Sequence, residues 1–400
     1  MALLMNTRLL LRQMKDLRNV IPKRNRVKAK WAATRPKYPP TQLALGHFDA
    51  TYGGQMGELW PSIRVALLSE RKYGALVNNF CHDAVQDDLQ AMGCRDFIDD
   101  ADTEAQPSYK PESASDVNNH LNDGPTQSSD VDDPPPSPLK LSPNIRCMVF
   151  PRGDITRFKP ARPDMEGLLP YYLLDAASVL PCLALNIEEG HTVLDLCAAP
   201  GGKTMALLQT NAIRFLCAND SSRTRTARLR KVLQSYIPKE LRSEEHLRIT
   251  SLDGTYWGDV ERNTFDRVLV DVPCTTDRHS VTEDDNNIFN RSRTKERQTL
   301  PQLQVALLLA GIVAACPGGQ IVYSTCTLSN TQNLRVVEQA VHLAQENHAI
   351  KVEVVNLKPL THMFRKTFHF ASDLSVGEMV IPHLASNFGP IYMCKLKRLT

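Results

Sequence analysis

The feature that most constrains the fold is a glycine-rich turn between a short apolar run and a helical pattern. Residues 193–204 read VLDLCAAPGGKT, so a strand-like segment leads into small residues and then into a helix. Small residues let the backbone approach a ligand closely, and a helix N-terminus attracts the ligand's anionic part. A phosphate loop is disfavoured, because Cys197 stands where that motif needs glycine. The turn therefore predicts a ligand site, with a plain strand-to-helix turn as the alternative.

Strand-like runs alternate with helical patterns from about residue 145 onward. Strands are predicted at residues 192–196, 214–218, 247–251, 267–270, 320–324, 351–355 and 391–397, and helices at residues 171–180, 203–210, 224–236, 297–316 and 331–346. This order predicts an α/β fold with a mostly parallel seven-stranded sheet and helices on both faces. Ligands in such folds lie at the C-terminal ends of the strands.

An acidic residue follows each of three strands that come after the glycine-rich turn. These residues are Asp220, Asp253 (followed by Gly254) and Asp271. An acid at this point of a strand–helix–strand unit can bind ribose hydroxyls or, further along, an adenine amino group. Each one alone could equally be a helix N-cap. Three in register around one pocket favour an adenosine-type cofactor.

Two cysteines follow the fourth and fifth predicted strands, beside the predicted pocket. Cys274 belongs to the Pro-Cys segment, residues 271–275, and Cys326 belongs to the Thr-Cys segment, residues 323–327. One reaction that requires a cysteine beside such a cofactor is the methylation of cytosine at C5. Cytosine C5 is a weak nucleophile, and a thiolate that adds at C6 makes C5 enamine-like. The thiol needs a lowered pKa or a nearby base. Asp271 is the candidate to donate to N3 as charge develops there.

Composition excludes several other classes of protein. The ten cysteines are dispersed without a C-x-x-C pair, so neither a disulfide scaffold nor a zinc site is predicted, and a reducing compartment is the simplest setting. No run of about 18 apolar residues occurs, so no transmembrane helix is predicted. The net charge of +3 would not identify a nucleic-acid binder by itself.

The N-terminal 40 residues are strongly basic. They hold eleven Lys or Arg and one acid, and residues 1–20 have the pattern of a basic amphipathic helix. This pattern is typical of a mitochondrial presequence, so residues 1–40 are predicted to be a presequence and basic arm. A basic RNA-binding arm or a nuclear signal around residues 23–30 is the alternative.

The rest of the chain divides by composition into three parts. Residues 41–83 mix aromatic residues with helical spacing and predict an ordered N-terminal extension that packs on the core. Residues 84–143 are rich in Asp, Ser and Pro and predict a disordered acidic insertion, with an acidic interaction tail as the alternative. Residues 144–400 are predicted to form the catalytic domain.

The pairing of a Pro-Cys with a Thr-Cys segment resembles that of the Nop/Sun-domain RNA cytosine-5 methyltransferases, over about residues 145–400. The resemblance implies a Rossmann-like class I methyltransferase fold and S-adenosyl-L-methionine as cofactor. It is strongest to the mitochondrial rRNA branch of the family. Residues 60–68, 72–80, 271–280, 286–289 and 387–390 carry that closer match.

The resemblance also implies a role for individual residues. Cys326 would be the nucleophile, and Cys274 would assist release of the methylated product. In DNA cytosine methyltransferases the Pro-Cys cysteine attacks instead, so the family and not the physics decides between them. The cofactor-binding residues would be Gly201, Gly202 and Lys203 at the methionine part, Asp220 and Arg225 at the ribose, Asp253 and Gly254 at the adenine, and Asp271 between cofactor and base.

Substrate and partners follow from the same resemblance. The substrate would be mitochondrial small-subunit ribosomal RNA in the mitochondrial matrix. The partner would be a helical-repeat protein of the mitochondrial termination-factor family, in a heterodimer that acts on mitochondrial ribosomal subunits. The acidic stretch at residues 84–143 offers no motif to transfer.

A basic cluster just beyond the Pro-Cys segment is the candidate RNA contact. It contains Arg291, Arg293, Lys295 and Arg297. Basic side chains there would lie near the phosphates of a strand whose target base is flipped into the pocket. A solvated helix start is the alternative.

Two other functions stay open at this point. One is a ribosome-assembly factor whose catalysis is dispensable, and the other is a methyltransferase that acts on a different RNA. A phosphate-loop nucleotidase is disfavoured by Cys197 and by the two cysteines.

Overall fold

The computed structural model describes residues 38–81, 85–100, 140–372 and 374–400. The strands are β1 Gly74–Val77, β2 Arg95–Asp96, β3 Cys147–Val149, β4 Tyr171–Leu174, β5 His191–Asp195, β6 Ile213–Asn219, β7 Leu247–Thr250, β8 Phe265–Asp271, β9 Ala315–Thr325, β10 Val352–Val355, β11 Glu378–Val380 and β12 Ile391–Arg398. The helices are α1 Pro40–Met56, α2 Trp60–Leu68, α3 Val85–Ala91, α4 Leu180–Ala184, α5 Gly202–Leu208, α6 Arg223–Tyr236, α7 Trp257–Val260, α8 Asp277–Thr282, α9 Thr294–Ala314, α10 Leu334–His348 and α11 Lys358–Phe364.

The larger sheet has the strand order β10-β12-β9-β8-β5-β6-β7, and β11 pairs with β12. Strands β5 to β9 pair in parallel, whereas β12 lies antiparallel between β9 and β10. The mostly parallel α/β fold is therefore confirmed, with the short β11 added to the seven expected strands. The chain runs outward from β5 to β7 and returns on the other side as β8. The resulting switch in strand order is where such folds bind ligands.

Strands at the centre of this sheet are apolar because both of their faces are covered. Val193 and Leu194 of β5 and Val268 and Leu269 of β8 are fully buried. Helix α9 packs against β8 and α10. Val, Ile and Leu suit such strands, since both faces lie against helices. The core therefore holds the ends of β5, β6, β8 and β9 in fixed register.

A second, smaller sheet is entirely antiparallel, with the order β2-β3-β1-β4. Residues 171–180 were predicted to form a helix. Instead, Tyr171–Leu174 form strand β4 of this sheet, and a 3₁₀ helix follows at Ala176–Val179. The helix prediction is wrong because Tyr171 and Tyr172 pair with β1, and aromatic residues suit a half-buried sheet surface.

Part of the segment predicted to be disordered is also ordered. Residues 85–100 contain α3 and β2, which corrects the start of the predicted acidic insertion. Leu89 and Cys94 are buried beside Phe150 and Tyr171. Apolar partners from distant parts of the chain therefore supply the burial that local composition lacks. Residues 84 and 101–139 of that segment, and the predicted presequence up to residue 37, lie outside the described residues.

Helix α1 lies against α8 and so reaches the region that follows the Pro-Cys segment. Phe48 and Tyr52 of α1 stack with their ring centroids 4.9 Å apart, and Phe48 meets Phe289 edge-on at 5.2 Å. Within the described ranges, none of the helices combines the length and apolarity that a membrane crossing requires.

Candidate active site

The glycine-rich turn joins the end of β5 to the start of α5 with little space to spare. Gly201 has φ +118°, a conformation that L side chains rarely adopt, and a Cβ there would lie 2.8 Å from Cδ1 of Leu229. Gly202 opens α5 next to the ring of Tyr172. The turn therefore requires glycine at residue 201. Its backbone is open to close approach by a ligand bound at the C-terminal end of β5.

Asp195, the last residue of β5, was not among the predicted site residues. Its Oδ2 accepts a hydrogen bond from Oγ1 of Thr204 at 2.7 Å, and its Oδ1 has no partner among the described residues. Burial raises the pKa of Asp195 to about 7, and the nearby charge of Asp271 adds to the effect. A buried oxygen without a partner is costly, so it marks a place where a polar ligand group fits. The acid-after-strand pattern used for the other three residues would also have found Asp195.

Asp220 and Arg225 meet beside this turn. Nη1 of Arg225 lies 3.3 Å from Oδ2 of Asp220, and its Nη2 donates to the carbonyl of Ala199. Asp220 is almost fully buried. The predicted ribose pair is thus a real ion pair that ties α6 to the glycine-rich turn.

Asp253 and Gly254 follow β7 at the same edge of the sheet. Oδ1 of Asp253 accepts from the N–H of Thr255 at 3.0 Å, which is the capping role considered as its alternative. A Cβ on Gly254 would lie 2.7 Å from Cδ2 of Leu307. These local contacts account for the presence of Asp253 and Gly254. Their binding of the adenine stays a prediction.

The two cysteines of the Pro-Cys and Thr-Cys segments lie in contact. Sγ of Cys274 is 3.2 Å from Sγ of Cys326, although 52 residues separate them in sequence. The hydrogen bond between the two sulfurs lowers the pKa of Cys274, against the opposing effect of burial. The same contact, together with burial, raises the pKa of Cys326 well above its usual value. The contact therefore favours the thiolate form of Cys274 and the protonated form of Cys326.

Lys203 and Asp271 connect the glycine-rich turn to the cysteines. Nζ of Lys203 lies 2.8 Å from Oδ2 of Asp271, and Oγ of Ser324 donates to Oδ1 at 2.7 Å. Burial opposes the charge on Lys203, but the charge and hydrogen bond of Asp271 outweigh it and raise the pKa of Lys203. The positive charge of Lys203 in turn lowers the pKa of Cys326, in part offsetting the other effects.

Buried amides behind the pocket hold the two cysteine segments. Oε1 of Gln332 accepts from the N–H of Thr275 at 3.2 Å. Oδ1 of Asn333 accepts from Oγ1 of Thr325 at 2.6 Å, and its Nδ2 donates to the carbonyl of Thr327 at 2.9 Å. These residues were missed because an amide between a strand and a helix carries no chemical signature of its own.

The predicted basic cluster is divided by the structure. Arg291 and Lys295 are exposed. Arg293 instead binds Glu296 at 2.6 Å and donates to the carbonyl of Asn286, also at 2.6 Å. Arg297 lies over the ring of Phe289, 4.6 Å from its centroid. Only the first two have side chains directed to solvent.

These residues fit S-adenosylmethionine. If the cofactor binds in front of the turn, Asp220 would meet the ribose and the Gly201–Gly202 backbone the anionic methionine end, while Asp195 offers a buried acceptor. When bound, the cofactor supplies an electrophilic methyl group on a sulfonium. Among the described residues, no cluster of His, Cys, Asp or Glu is arranged to hold a metal ion. The fold and the site together define a class I S-adenosylmethionine-dependent methyltransferase.

Comparison with known proteins narrows this class. Residues 182–397 match the family described as 16S rRNA methyltransferase RsmB/F, and the chain belongs to this family. It is 54% identical over 381 residues to the 5-cytosine rRNA methyltransferase NSUN4 of Bos taurus, covering 95% of both chains. It is 50% identical over 391 residues to the NSUN4 of Xenopus laevis, covering 94% of this chain and 95% of that one. The chain is thus an RNA cytosine-5 methyltransferase that uses S-adenosylmethionine, as the two cysteine segments predicted.

Solved structures show the same fold. NSun6 from Pyrococcus horikoshii, solved with SFG, has a TM-score of 0.55 at 17% identity and covers 90% of this chain and 98% of that chain. A methyltransferase homolog protein from the same organism has a TM-score of 0.54 at 20% identity. Both likenesses concern the fold alone.

Proposed function

We propose that this enzyme methylates C5 of a cytosine in mitochondrial small-subunit ribosomal RNA, through a covalent bond between Cys326 and C6 of the base. The 3.2 Å approach of Cys274 and Cys326, beside the Asp271–Lys203 ion pair, carries the proposal. Two sulfurs this close can both reach one base. A base must leave its stack to enter such a pocket.

In this proposal the thiol pair holds one proton before the reaction, and that proton is on Cys326. Cys326 passes its proton to Cys274, which passes it on to water. The Cys326 thiolate then attacks C6, an S–C6 bond forms, and the electron pair of the C5–C6 double bond becomes available at C5 for the methyl group. Asp271 would lie on the N3 side of the base, and the positive charge of Lys203 beside it would stabilise the negative charge that develops there.

Release reverses the addition. Cys274, again a thiolate, takes the proton from C5. The electron pair of that C–H bond restores the C5–C6 double bond, and the S–C6 bond breaks with its electrons returning to Cys326. One proton leaves to water for each methyl group transferred, and the thiol pair again holds one proton.

Trapping of the covalent intermediate tests this mechanism. Cys274→Ala protein, incubated with S-adenosylmethionine and mitochondrial small-subunit rRNA, should accumulate a protein–RNA adduct that survives denaturing electrophoresis. Cys274→Ala/Cys326→Ala protein should form none, and Cys217→Ala, which removes a buried thiol from the core strand β6, should turn over normally. Normal methylation by Cys326→Ser would refute the assignment of the nucleophile.

The choice of RNA is supported by the names of relatives and by the N-terminal charge pattern. The NSUN4 relatives are 5-cytosine rRNA methyltransferases. A protein from Danio rerio that is 34% identical over 374 residues is named as mitochondrial, and as acting on cytosine 34 of a tRNA. Bisulfite sequencing of mitochondrial RNA from cells without the enzyme should reveal one unmethylated cytosine in the small-subunit rRNA. Loss confined to a tRNA would favour the alternative substrate.

A role in ribosome assembly belongs to the same proposal. The enzyme would work in the mitochondrial matrix as a heterodimer with a protein of the mitochondrial termination-factor family, on the mitochondrial ribosomal subunits. Cells that carry only Cys326→Ala decide between catalysis and scaffolding. Assembled ribosomes without the methyl group would make the assembly function independent of catalysis.

A further inference from the structure

Tyr52 of helix α1 reaches the two cysteine segments from outside the catalytic sheet. Its hydroxyl donates to Oδ2 of Asp277 at 2.8 Å and lies 3.1 Å from Oγ1 of Thr327, the residue after Cys326. Tyr52 is 3% exposed and Asp277 is 0% exposed. An N-terminal helix thus makes a buried polar contact next to the nucleophile.

Asp277 joins the two cysteine segments through one carboxylate. Its Oδ2 also accepts from the N–H of Leu328 at 2.8 Å, and its Oδ1 accepts from Oγ1 of Thr275 at 2.7 Å. Its own N–H donates to the carbonyl of Cys326 at 3.2 Å. Burial raises the pKa of Asp277, while the hydrogen bonds that it accepts from Leu328 and Thr275 oppose the rise.

A second residue of α1 holds the backbone that follows Cys326. Nε2 of Gln55 donates to the carbonyl of Leu328 at 2.5 Å, and its Oε1 accepts from the N–H of Asn330 at 3.3 Å. The ring of Tyr52 is fixed independently, since it stacks on Phe48 and meets Trp60 edge-on. Loss of the Tyr52 hydroxyl alone would therefore leave the ring in place.

We infer that Tyr52 and Asp277 are positioning residues that set the separation and alignment of the two catalytic thiols. The inference rests on the proposed roles of Cys274 and Cys326. Among the described residues, neither Tyr52 nor Asp277 hydrogen-bonds to sulfur; both act through the backbone and hydroxyls on either side of the cysteines. A misplacement of about 1 Å at a reacting group can cost about 100-fold in rate.

Tyr52→Phe is the decisive variant, with Tyr392→Phe as its matched control. Tyr392 is equally buried, and its hydroxyl donates to the carbonyl of Val376 at 2.9 Å, a residue outside the Pro-Cys and Thr-Cys segments. Both variants lose one buried hydroxyl and should lower the melting temperature to a similar extent. Only Tyr52→Phe should lower kcat, by about 10- to 100-fold, with KM for S-adenosylmethionine and RNA unchanged. An equal fall in kcat for both variants would overturn the inference.

A double-mutant cycle tests whether the two residues act as one unit. Asp277→Asn loses one acceptor oxygen, so Tyr52→Phe added to it should lower kcat little further. Additive losses would refute a shared role. If Tyr52→Phe does not fold, Thr327 provides the same test, since Thr327→Ser should keep kcat and Thr327→Val should lose it. Equal activity of the Ser and Val variants would count against the inference.

Cys326→Ala separates this inference from the proposed mechanism. If Cys326→Ala is inactive while Tyr52→Phe has wild-type kcat, the positioning role is wrong and the mechanism stands. If Cys326→Ala methylates RNA at the normal rate, the mechanism is wrong and the inference falls with it.

Discussion

The ammonium of Lys203 lies 2.8 Å from the carboxylate of Asp271, so the glycine-rich turn and the Pro-Cys segment share one ion pair. Lys203 comes from the start of α5 and Asp271 from the end of β8, two elements that only the folded sheet brings together. The pair adjoins Cys326, whose pKa Lys203 lowers and Asp271 raises. The charge on the glycine-rich turn therefore acts directly on the thiol that we propose as the nucleophile.

Replacement of Lys203 by Met should raise the pKa of Cys326 further, because Asp271 and Cys274 then act on it without the opposing positive charge. At saturating S-adenosylmethionine we expect kcat to fall about 100-fold at neutral pH. The rising limb of the pH–rate profile should move to higher pH. Lys231→Met, on the solvent face of α6, is the control and should leave the profile unchanged. An unshifted profile for Lys203→Met would contradict this account.

Gly201→Ala should abolish cofactor binding, since it combines a positive φ with a 2.8 Å approach to Leu229. We expect a loss of about 1–3 kcal/mol in the free energy of unfolding from backbone strain alone, with steric repulsion added. Gly190→Ala is the control, because Gly190 has φ +84° but open space around its Cβ position. Calorimetric titration should show normal S-adenosylmethionine affinity for Gly190→Ala only. Tight binding by Gly201→Ala would mean that the turn can relax.

Asp195→Asn should remove a pH dependence from the stability of the cofactor-free protein. Burial raises the folded-state pKa of Asp195 to about 7, above the unfolded value near 3.8. The folded state thus binds more protons than the unfolded state between these values. The contribution of Asp195 to stability is therefore fully present below about pH 4 and is lost as pH rises through about 7. Asn keeps an oxygen for Thr204 and cannot ionise. The difference in melting temperature between variant and wild type should therefore grow from pH 4 to 7; a constant difference would disprove the assignment.

Arg278→Lys should destabilise the fold, because Arg278 holds together distant parts of the chain. Its guanidinium donates to the carbonyls of Gly389 and Ala66 at 2.9 and 3.0 Å and to Oδ1 of Asn387 at 2.8 Å. Lysine cannot reproduce this planar set of donors, so we expect a loss of about 3 kcal/mol in the free energy of unfolding. Arg335→Lys, at an exposed pair with Glu338, should change it by less than about 0.5 kcal/mol. Denaturant titration of both variants measures the contrast.

Arg291→Ala/Lys295→Ala should weaken RNA binding and its dependence on salt. Each lost phosphate contact should make the negative slope of log K against log salt shallower by about 0.7 for a single strand. Arg335→Ala/Lys351→Ala removes the same charge from α10 and the start of the β10 edge and serves as the control. Unchanged slopes for the first pair would leave these residues as a solvated helix start.

Much of the catalytic half could be predicted because its signals are local. The apolar run that ends at Asp195, the small residues after it, and the cysteines behind β8 and β9 are each recognisable within a few residues of sequence. Parallel pairing then places all of these strand ends at one edge. The pattern placed Cys274 and Cys326 at strand ends beside one pocket, but the strand order and the contact of the two sulfurs come from the structure.

What could not be predicted depends on partners distant in sequence. Tyr171 and Tyr172 have an apolar pattern that suits helix or strand, and only pairing with β1 decides it. Tyr52 and Asp277 are 225 residues apart, and nothing in either local sequence indicates their contact. Arg293 looks available for RNA until the structure shows Glu296 and Asn286 bound to it.

The antiparallel placement of β12 between β9 and β10 has a consequence for the order of synthesis. Tyr392 and Met393 pair with Thr325 and Ser324, immediately before Cys326. A ribosome makes β9 well before β12, and until β12 emerges, the strand that presents Cys326 has an open edge. The growing polypeptide therefore cannot close the sheet beside Cys326 until its last strand has been made.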